Sequence, residues 1–71
     1  MAFEYEIIKK IAVLSEKGSI TKELNLIKYG DYPPKYDIRA WKRAGEEERL
    51  MKGITLDEEE IDALRKALNS L

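Results

Sequence analysis

Hydrophobic and polar residues alternate along three stretches in the first 42 residues, a pattern typical of β-strands. The first stretch runs from Phe3 to Leu14, and its alternation slips at Ile7–Ile8, which predicts a bend or bulge at that point. The second stretch is Ile20–Tyr29 and the third is Lys35–Lys42. A helix over 19–29 is the alternative for the second stretch, but the flanking turns and the period of two favour a strand.

Turn and loop residues separate these stretches. Gly18 indicates a turn after the first strand, because glycine adopts positive φ without strain. Gly30–Pro34 contains two consecutive prolines and is expected to be a loop, since proline cannot donate to a strand ladder. Residues 43–48 are polar and predict a mobile connection to a short fourth strand, Arg49–Ile54. Consecutive strands joined by short loops predict an antiparallel meander.

The C-terminal segment carries the clearest helix signal. Asp57 and Glu60 have the spacing of a capping box, and Thr55 with Glu58 forms a competing box, so the helix is predicted to start after one of these two caps. An apolar stripe follows at helical spacing: Ile61, Leu64, Leu68 and Leu71. We therefore predict an α+β fold in one domain of residues 1–71. Its four-stranded antiparallel β-meander is followed by one C-terminal α-helix (β-β-β-β-α).

The two faces of the third strand differ in chemistry, because side chains alternate along an extended chain. The face expected to join the core carries Tyr36, Ile38 and Ala40. The opposite face places the Arg39 guanidinium beside the Trp41 indole, a pair that suits the phosphate and base of a single-stranded nucleic acid. The alternative interpretation is that Trp41 belongs to the core and that Arg39 pairs with Glu23 or Asp37, since large aromatic side chains are usually buried.

The amino-acid composition indicates the cellular environment of the protein. The 71 residues include no cysteine and no histidine, which excludes disulfides and thiolate metal sites and predicts a reducing, intracellular environment with no cofactor. No apolar run approaches the roughly 20 residues of a membrane span, and Met1–Glu6 lacks the features of a signal peptide. We expect a cytoplasmic protein that is not bound to a membrane, with association with the nucleoid left open.

Charge is distributed unevenly although the net charge is only −1. Residues 1–45 contain nine Lys/Arg against six Asp/Glu, a net charge of +3, and residues 46–71 contain four against eight, a net charge of −4. Such a division can create one attractive surface for a polyanion on a nearly neutral chain.

No enzyme motif is present in the sequence. It has no glycine-rich phosphate loop, no nucleophile–base arrangement and no metal-ligand spacing. The acidic runs Glu46–Glu48 and Glu58–Glu60 are typical of solvated surfaces and helix starts. We therefore predict a protein that is not an enzyme and has no small-molecule substrate.

The candidate nucleic-acid-binding residues combine cations with aromatic rings. The cations expected to meet phosphates are Lys22, Lys28, Lys35, Arg39 and Lys52; the rings expected to stack on bases are Tyr29, Tyr32 and Trp41. Each one taken alone is equally compatible with an ordinary surface or gap-filling role. The helix stripe is expected to serve both the core and a dimer interface, because a chain this small needs additional burial, with a core role alone as the alternative.

Two segments of the sequence resemble a known family. Tyr36-Asp37-Ile38-Arg39-Ala40-Trp41 and Lys52-Gly53-Ile54-Thr55-Leu56, which leads into Glu58-Glu59-Glu60, are similar to the positive cofactor four family of transcriptional coactivators. The small bacterial members, which lack the regulatory tail of the eukaryotic ones, are the most similar in form. The resemblance extends from about Ile11 to Leu71.

This resemblance implies a homodimer, built largely through the helix, whose two sheets form channels for single-stranded DNA. It implies that Arg39 contacts the strand backbone, that Trp41 is the nearby aromatic residue and that Lys52 is the basic residue before the family glycine. Tyr29, Tyr32 and Lys35 match the hairpin between the second and third strands. RNA is not excluded, because backbone contacts and stacking do not by themselves distinguish the sugars. A dimeric protein–protein interaction adaptor without nucleic-acid binding is the alternative function.

Overall fold

A computed structural model describes residues 4–71, which form four strands and one helix. The elements are β1 (Tyr5–Lys17), β2 (Ile20–Tyr29), β3 (Lys35–Ala44), β4 (Glu47–Leu56) and α1 (Glu58–Asn69). The strands form one antiparallel sheet in the order β1-β2-β3-β4, so each strand pairs with its neighbour in sequence. The predicted α+β meander with a C-terminal helix is confirmed; Phe3, the predicted first residue of the first strand, lies outside the described residues.

The connection between β3 and β4 is much shorter than predicted. Residues 43–48 do not form a mobile linker: β3 continues to Ala44, β4 begins at Glu47, and only Gly45–Glu46 form the turn. Gly45 has φ +60°, a conformation that glycine adopts at no steric cost. The polar side chains in this stretch pair across the strands, since Arg43 and Glu48 are cross-strand partners. The charged residues of this stretch therefore belong to paired strands and not to a flexible linker.

β1 is bent by three bulges. Its thirteen residues pair with the ten of β2, and the register shifts once at each of Ile8, Ile11 and Leu14. The first shift confirms the bulge predicted from the break in alternation at Ile7–Ile8. Because each bulge adds a residue on one side and increases the local twist, β1 curves relative to a flat strand.

α1 begins as the capping box requires. The Asp57 carboxylate accepts from the Glu60 amide, and the Glu60 carboxylate accepts from the Asp57 amide, both at 2.9 Å. Asp57 is therefore the N-cap and the alternative start at Thr55 is not used. The apolar stripe of α1 meets the sheet in a groove lined by Ile11, Leu24, Tyr36, Ile61, Leu64, Arg65, Leu68 and Asn69. No α1 residue is fully buried, and α1, the helix found within residues 4–71, is not long or apolar enough to cross a membrane.

The sheet face that was predicted to be exposed is the buried one, and the face that was predicted to join the core is only partly covered. Trp41 and Asp37 are fully buried at 0% exposure, whereas Tyr36, Ile38 and Ala40 are only half-buried. The expectation that Trp41 offers an exposed ring to a base is therefore wrong. Tyr5 of the curved β1 packs edge-on against the Trp41 indole on this face, and the Arg43 guanidinium lies over the same ring. The alternative interpretation, Trp41 in the core and Arg39 paired with Asp37, is the one that the structure has.

We expect Trp41→Ala to lower the free energy of unfolding by about 3–5 kcal/mol, because it removes one of the largest fully buried side chains. Urea denaturation at one fixed protein concentration measures the change. Tyr32→Ala is the control, since that ring is 73% exposed and its loss is expected to cost less than about 0.5 kcal/mol. Equal losses for the two variants would contradict the assignment of Trp41 to the core.

Candidate nucleic-acid interface

The centre of the Asp37 face is a buried carboxylate that holds an arginine. Asp37 accepts from Arg39 Nε and Arg39 Nη2, both at 2.8 Å, and from the Tyr29 hydroxyl, also at 2.8 Å. Burial, followed by the bond to Asp37, raises the pKa of Tyr29 well above its usual value, so Tyr29 stays a hydroxyl donor. A bidentate pair of this kind fixes both the position and the plane of the guanidinium.

Arg39 also reaches the edge strand β4. Its Nη1 donates to the Met51 carbonyl oxygen at 2.9 Å, and its Cζ lies 5.7 Å from the centre of the Tyr29 ring. Gly53 is the cross-strand partner of Arg39, and a Cβ at Gly53 would clash with the Arg39 Cβ and Cα and with the Ile38 carbonyl oxygen. The glycine of the Lys-Gly-Ile-Thr-Leu segment therefore makes room for Arg39. The side chain of Arg39 keeps 16% exposure.

A second buried ion pair lies further along the same face. Arg43 donates to both carboxylate oxygens of Glu23 at 2.8 and 3.0 Å, and to Glu48 at 2.6 Å. Its guanidinium lies 4.8 Å from the centre of the Trp41 ring, and Tyr5 meets the same indole edge-on at 5.6 Å. Burial, followed by its hydrogen bond to Glu48, raises the pKa of Tyr5 to about 12. Arg43 and its partners thus connect all four strands, and Trp41 is enclosed between them.

The eight predicted nucleic-acid-binding residues fall into separate groups. Lys28, Tyr29, Tyr32 and Lys35 lie near the β2–β3 loop, where Tyr32 and Lys35 are exposed and the other two are half-buried. Lys22 and Lys52 are exposed toward the other end of the sheet. Seven steps of about 3.3 Å separate Lys35 from Lys42 along β3, which puts the two ends roughly 23 Å apart. Arg39 lies between them, and Trp41 is inaccessible.

Further cations join Lys22 and Lys52 at that second end. The register places Lys17 beside Ile20, Ile20 beside Lys42, and Lys42 beside Arg49, so three cations share one row across the four strands. A shallow depression brings Lys42, Arg49 and Lys52 together with Ile20, Leu50 and Met51. We call the turn-end basic patch the set Lys17, Lys22, Lys42, Arg49 and Lys52. None of the five forms an ion pair with any side chain among residues 4–71.

Sequence reasoning missed Lys17, Lys42 and Arg49 as members of this surface. Each is separated along the chain from the others, and only the pairing register of three strand pairs brings them into one row. The patch can attract anions, because its cations are unpaired and mostly exposed. Within residues 4–71, no group of three or more His, Cys, Asp or Glu side chains is arranged to hold a metal ion.

Comparison with known proteins assigns the chain to a family. The model of the transcriptional coactivator p15 (PC4) family matches residues 16–67. An uncharacterized protein of Treponema pallidum (strain Nichols) is 41% identical over 70 residues, which cover 97% of this chain and 80% of that relative. The chain therefore belongs to the transcriptional coactivator p15 (PC4) family, a family known for single-stranded DNA binding and transcription coactivation.

The Glu23–Arg43 pair predicts a pH dependence of stability. Its hydrogen bonds to Arg43 hold the pKa of Glu23 at about 2, below the ordinary 4.5, against the opposing effect of burial. A carboxyl group with a depressed pKa stabilises the fold above its unfolded pKa, and this contribution is lost as the pH falls through the folded pKa. We expect the free energy of unfolding to drop by about 3 kcal/mol through this group between pH 4.5 and pH 2.

Unfolding curves of wild type and Glu23→Gln across this pH range measure the effect. The variant should be less stable at pH 7, and its difference from wild type should shrink toward pH 2. Glu46→Gln, in the β3–β4 turn, is the matched control because Glu46 forms no ion pair within the described residues. A difference that stays constant with pH would exclude Glu23 as the titrating group.

Proposed function

We propose that the protein is a homodimeric, non-enzymatic binder of single-stranded DNA with little sequence preference. The observation that carries the proposal is the turn-end basic patch, which collects five cations without an acidic partner among residues 4–71. Membership of the transcriptional coactivator p15 (PC4) family supports single strands as the ligand. The sheet supplies the rigid support, because every strand is paired along most of its length.

Electrostatics favours this patch although the chain carries a net charge of −1. Local charge, not the total, determines the potential that a strand meets within a Debye length, about 8 Å at physiological salt. Neutralising phosphates with Lys and Arg releases condensed counterions, and this release supplies most sequence-independent affinity. A patch of unpaired cations is therefore sufficient for binding that does not read bases.

Arg39 connects the patch to the opposite face of the sheet. It donates to the carbonyl of Met51, a residue that also lines the depression with Arg49 and Lys52. β4 is an edge strand, so the two faces meet along its free side. A bound strand following this edge would meet the cations of the patch on one face and Arg39 on the other.

Stacking is expected to contribute less than the sequence predicted. Trp41 is enclosed, and Tyr29 is half-buried with its hydroxyl bound to Asp37. Tyr32, in the loop beside exposed Lys35, is the ring most accessible to a base. Stacking on one ring is worth about 1–3 kcal/mol, so phosphate contacts are expected to dominate the affinity.

The surface of α1 supports the homodimer. Ile27 and Trp41 are the fully buried hydrophobic residues within residues 4–71, a small core for a stable domain. Leu68 and Leu71 are exposed, while Ile61 and Leu64 are half-buried in an open groove. A second copy that covers this stripe would supply the burial that the chain alone lacks.

We expect the protein to bind oligo-dT more tightly than duplex DNA, with log affinity falling linearly with log salt. Arg49→Gln with Lys52→Gln should weaken binding at every sequence and lower the salt slope by about 1.4, or 0.7 per lost single-strand phosphate contact. Fluorescence anisotropy with dT, rU and duplex oligonucleotides at several salt concentrations measures both quantities.

Arg65→Gln with Lys66→Gln is the matched control for that titration. It removes the same charge from α1, where both cations pair with Asp62 on the exposed surface. Equal losses for the two double variants would mean that net charge, and not the patch, determines affinity. If wild type binds none of the three nucleic acids, the adaptor function replaces the proposal.

The dimer generates a separate prediction. Leu68→Glu places a charge on the exposed part of the α1 stripe and should convert a dimer into a monomer in sedimentation velocity. Ala63→Glu adds the same charge to the same helix away from the stripe and should leave the dimer intact. A monomeric wild type, or a dimer that survives Leu68→Glu, would contradict the role of α1.

A further inference from the structure

Asp37 is an unusual residue for a surface that binds a polyanion. Its carboxylate is fully buried, lies in the middle of β3 and forms an ion pair with Arg39. A negative charge next to a phosphate-binding cation weakens that cation's attraction for phosphate, because the two charges of the pair partly cancel. By charge alone, Asp37 therefore opposes the proposed function.

The hydrogen bonds of Arg39 show how Asp37 can favour binding despite its negative charge. An arginine has five N–H donors in a rigid plane. Arg39 donates twice to Asp37 and once to the Met51 carbonyl oxygen, and its guanidinium also interacts with the Tyr29 hydroxyl. The Arg39 side chain nevertheless keeps 16% exposure, so part of it is accessible to a ligand. A guanidinium that is held in a fixed plane presents its N–H groups in a geometry that matches phosphate oxygens.

We propose that Asp37 is a positioning residue that orients the Arg39 guanidinium so that its accessible part meets one phosphate of a bound strand. Asp37 itself does not touch the nucleic acid. The Tyr29 hydroxyl supports the carboxylate from one side, and the Tyr29 ring lies beside the guanidinium. The inference rests on the proposed function and adds a role for a buried acid to it.

Asp37 can strengthen DNA binding because it fixes the Arg39 side chain before the ligand arrives. A free arginine side chain loses rotamer freedom when it binds, at a cost of up to about 2 kcal/mol. The contacts to Asp37 and Met51 fix the guanidinium before the ligand arrives, so little of that cost remains at binding. A lysine could not take this place, because an ammonium group does not form the planar fork.

Asp37→Asn separates positioning from simple charge, because the two predict changes of opposite sign. The substitution raises the net charge from −1 to 0, which by electrostatics alone should tighten binding to oligo-dT. Loss of positioning should instead weaken binding about tenfold at fixed salt and lower the salt slope by about 0.7. Asp31→Asn, an exposed acid in the β2–β3 loop with the same charge change, should leave affinity unchanged or slightly increased.

A double-mutant cycle distinguishes positioning from a general effect on the fold. In an Arg39→Lys background, Asp37→Asn should cause no further loss of affinity, since the planar pair is already absent. A purely structural role would weaken binding equally in both backgrounds. Far-UV circular dichroism and unfolding curves establish that each variant is folded under the binding conditions.

The results of these experiments distinguish a failure of the Asp37 positioning role from a failure of the proposed DNA binding. If wild type binds oligo-dT and Asp37→Asn binds as tightly or more tightly, the positioning role is wrong and the proposed function stands. If the loss in the Arg39→Lys background equals the loss in wild type, the positioning role is also wrong. If wild type binds no nucleic acid, both the proposed function and the positioning role of Asp37 are wrong.

Discussion

The structure depends on two buried carboxylates that each hold an arginine on the same face of the sheet. Asp37 pairs with Arg39, and Glu23 pairs with Arg43, each through two charge-assisted hydrogen bonds. Burying a charge costs several kcal/mol unless a well-placed partner compensates, so neither acid can lose its arginine without a large penalty. The Glu23–Arg43 pair links β2 to β3 and also ties in β1 and β4 through Tyr5 and Glu48, while the Tyr29 hydroxyl links β2 to Asp37 on β3.

This polar interior has a consequence for the other face. Because the Asp37 face is filled by ion pairs, the indole, Ile27 and a few polar side chains, the other aliphatic residues of β2 and β3 lie on the α1 side and are covered only in part. The small chain therefore keeps an apolar groove at the helix and a row of cations at the end of the sheet beyond it. The apolar groove is suited to binding another copy of the chain, and the row of cations is suited to binding a polyanion. The same division of residues between the two faces therefore supports both parts of the proposed function.

The sequence predicted the strands and helix well, because alternation and capping are local signals. The bulge at Ile7–Ile8 was confirmed, and of the two caps that the sequence left open, Thr55 and Asp57, the helix uses Asp57. Burial was predicted on the wrong face because it depends on contacts between distant residues. Arg43 and Glu23 are twenty positions apart, and nothing local to Arg43 indicates that it closes over Trp41. Lys42 and Arg49 were missed for the same reason, since their place beside Lys52 follows from the register of β3 and β4.

We propose that a single strand is held along the β4 edge by the turn-end basic patch and a preoriented Arg39. Titration of ¹⁵N-labelled protein with unlabelled oligo-dT, followed through backbone amides and arginine Nε–H signals, tests it most directly. We expect the shift changes to concentrate at Lys42, Arg49, Lys52 and Gly53, with the Arg39 Nε–H remaining sharp and hydrogen-bonded to Asp37. Changes confined to the outer surface of α1 or to the bulged strand β1, with the β4 edge unperturbed, would contradict the account.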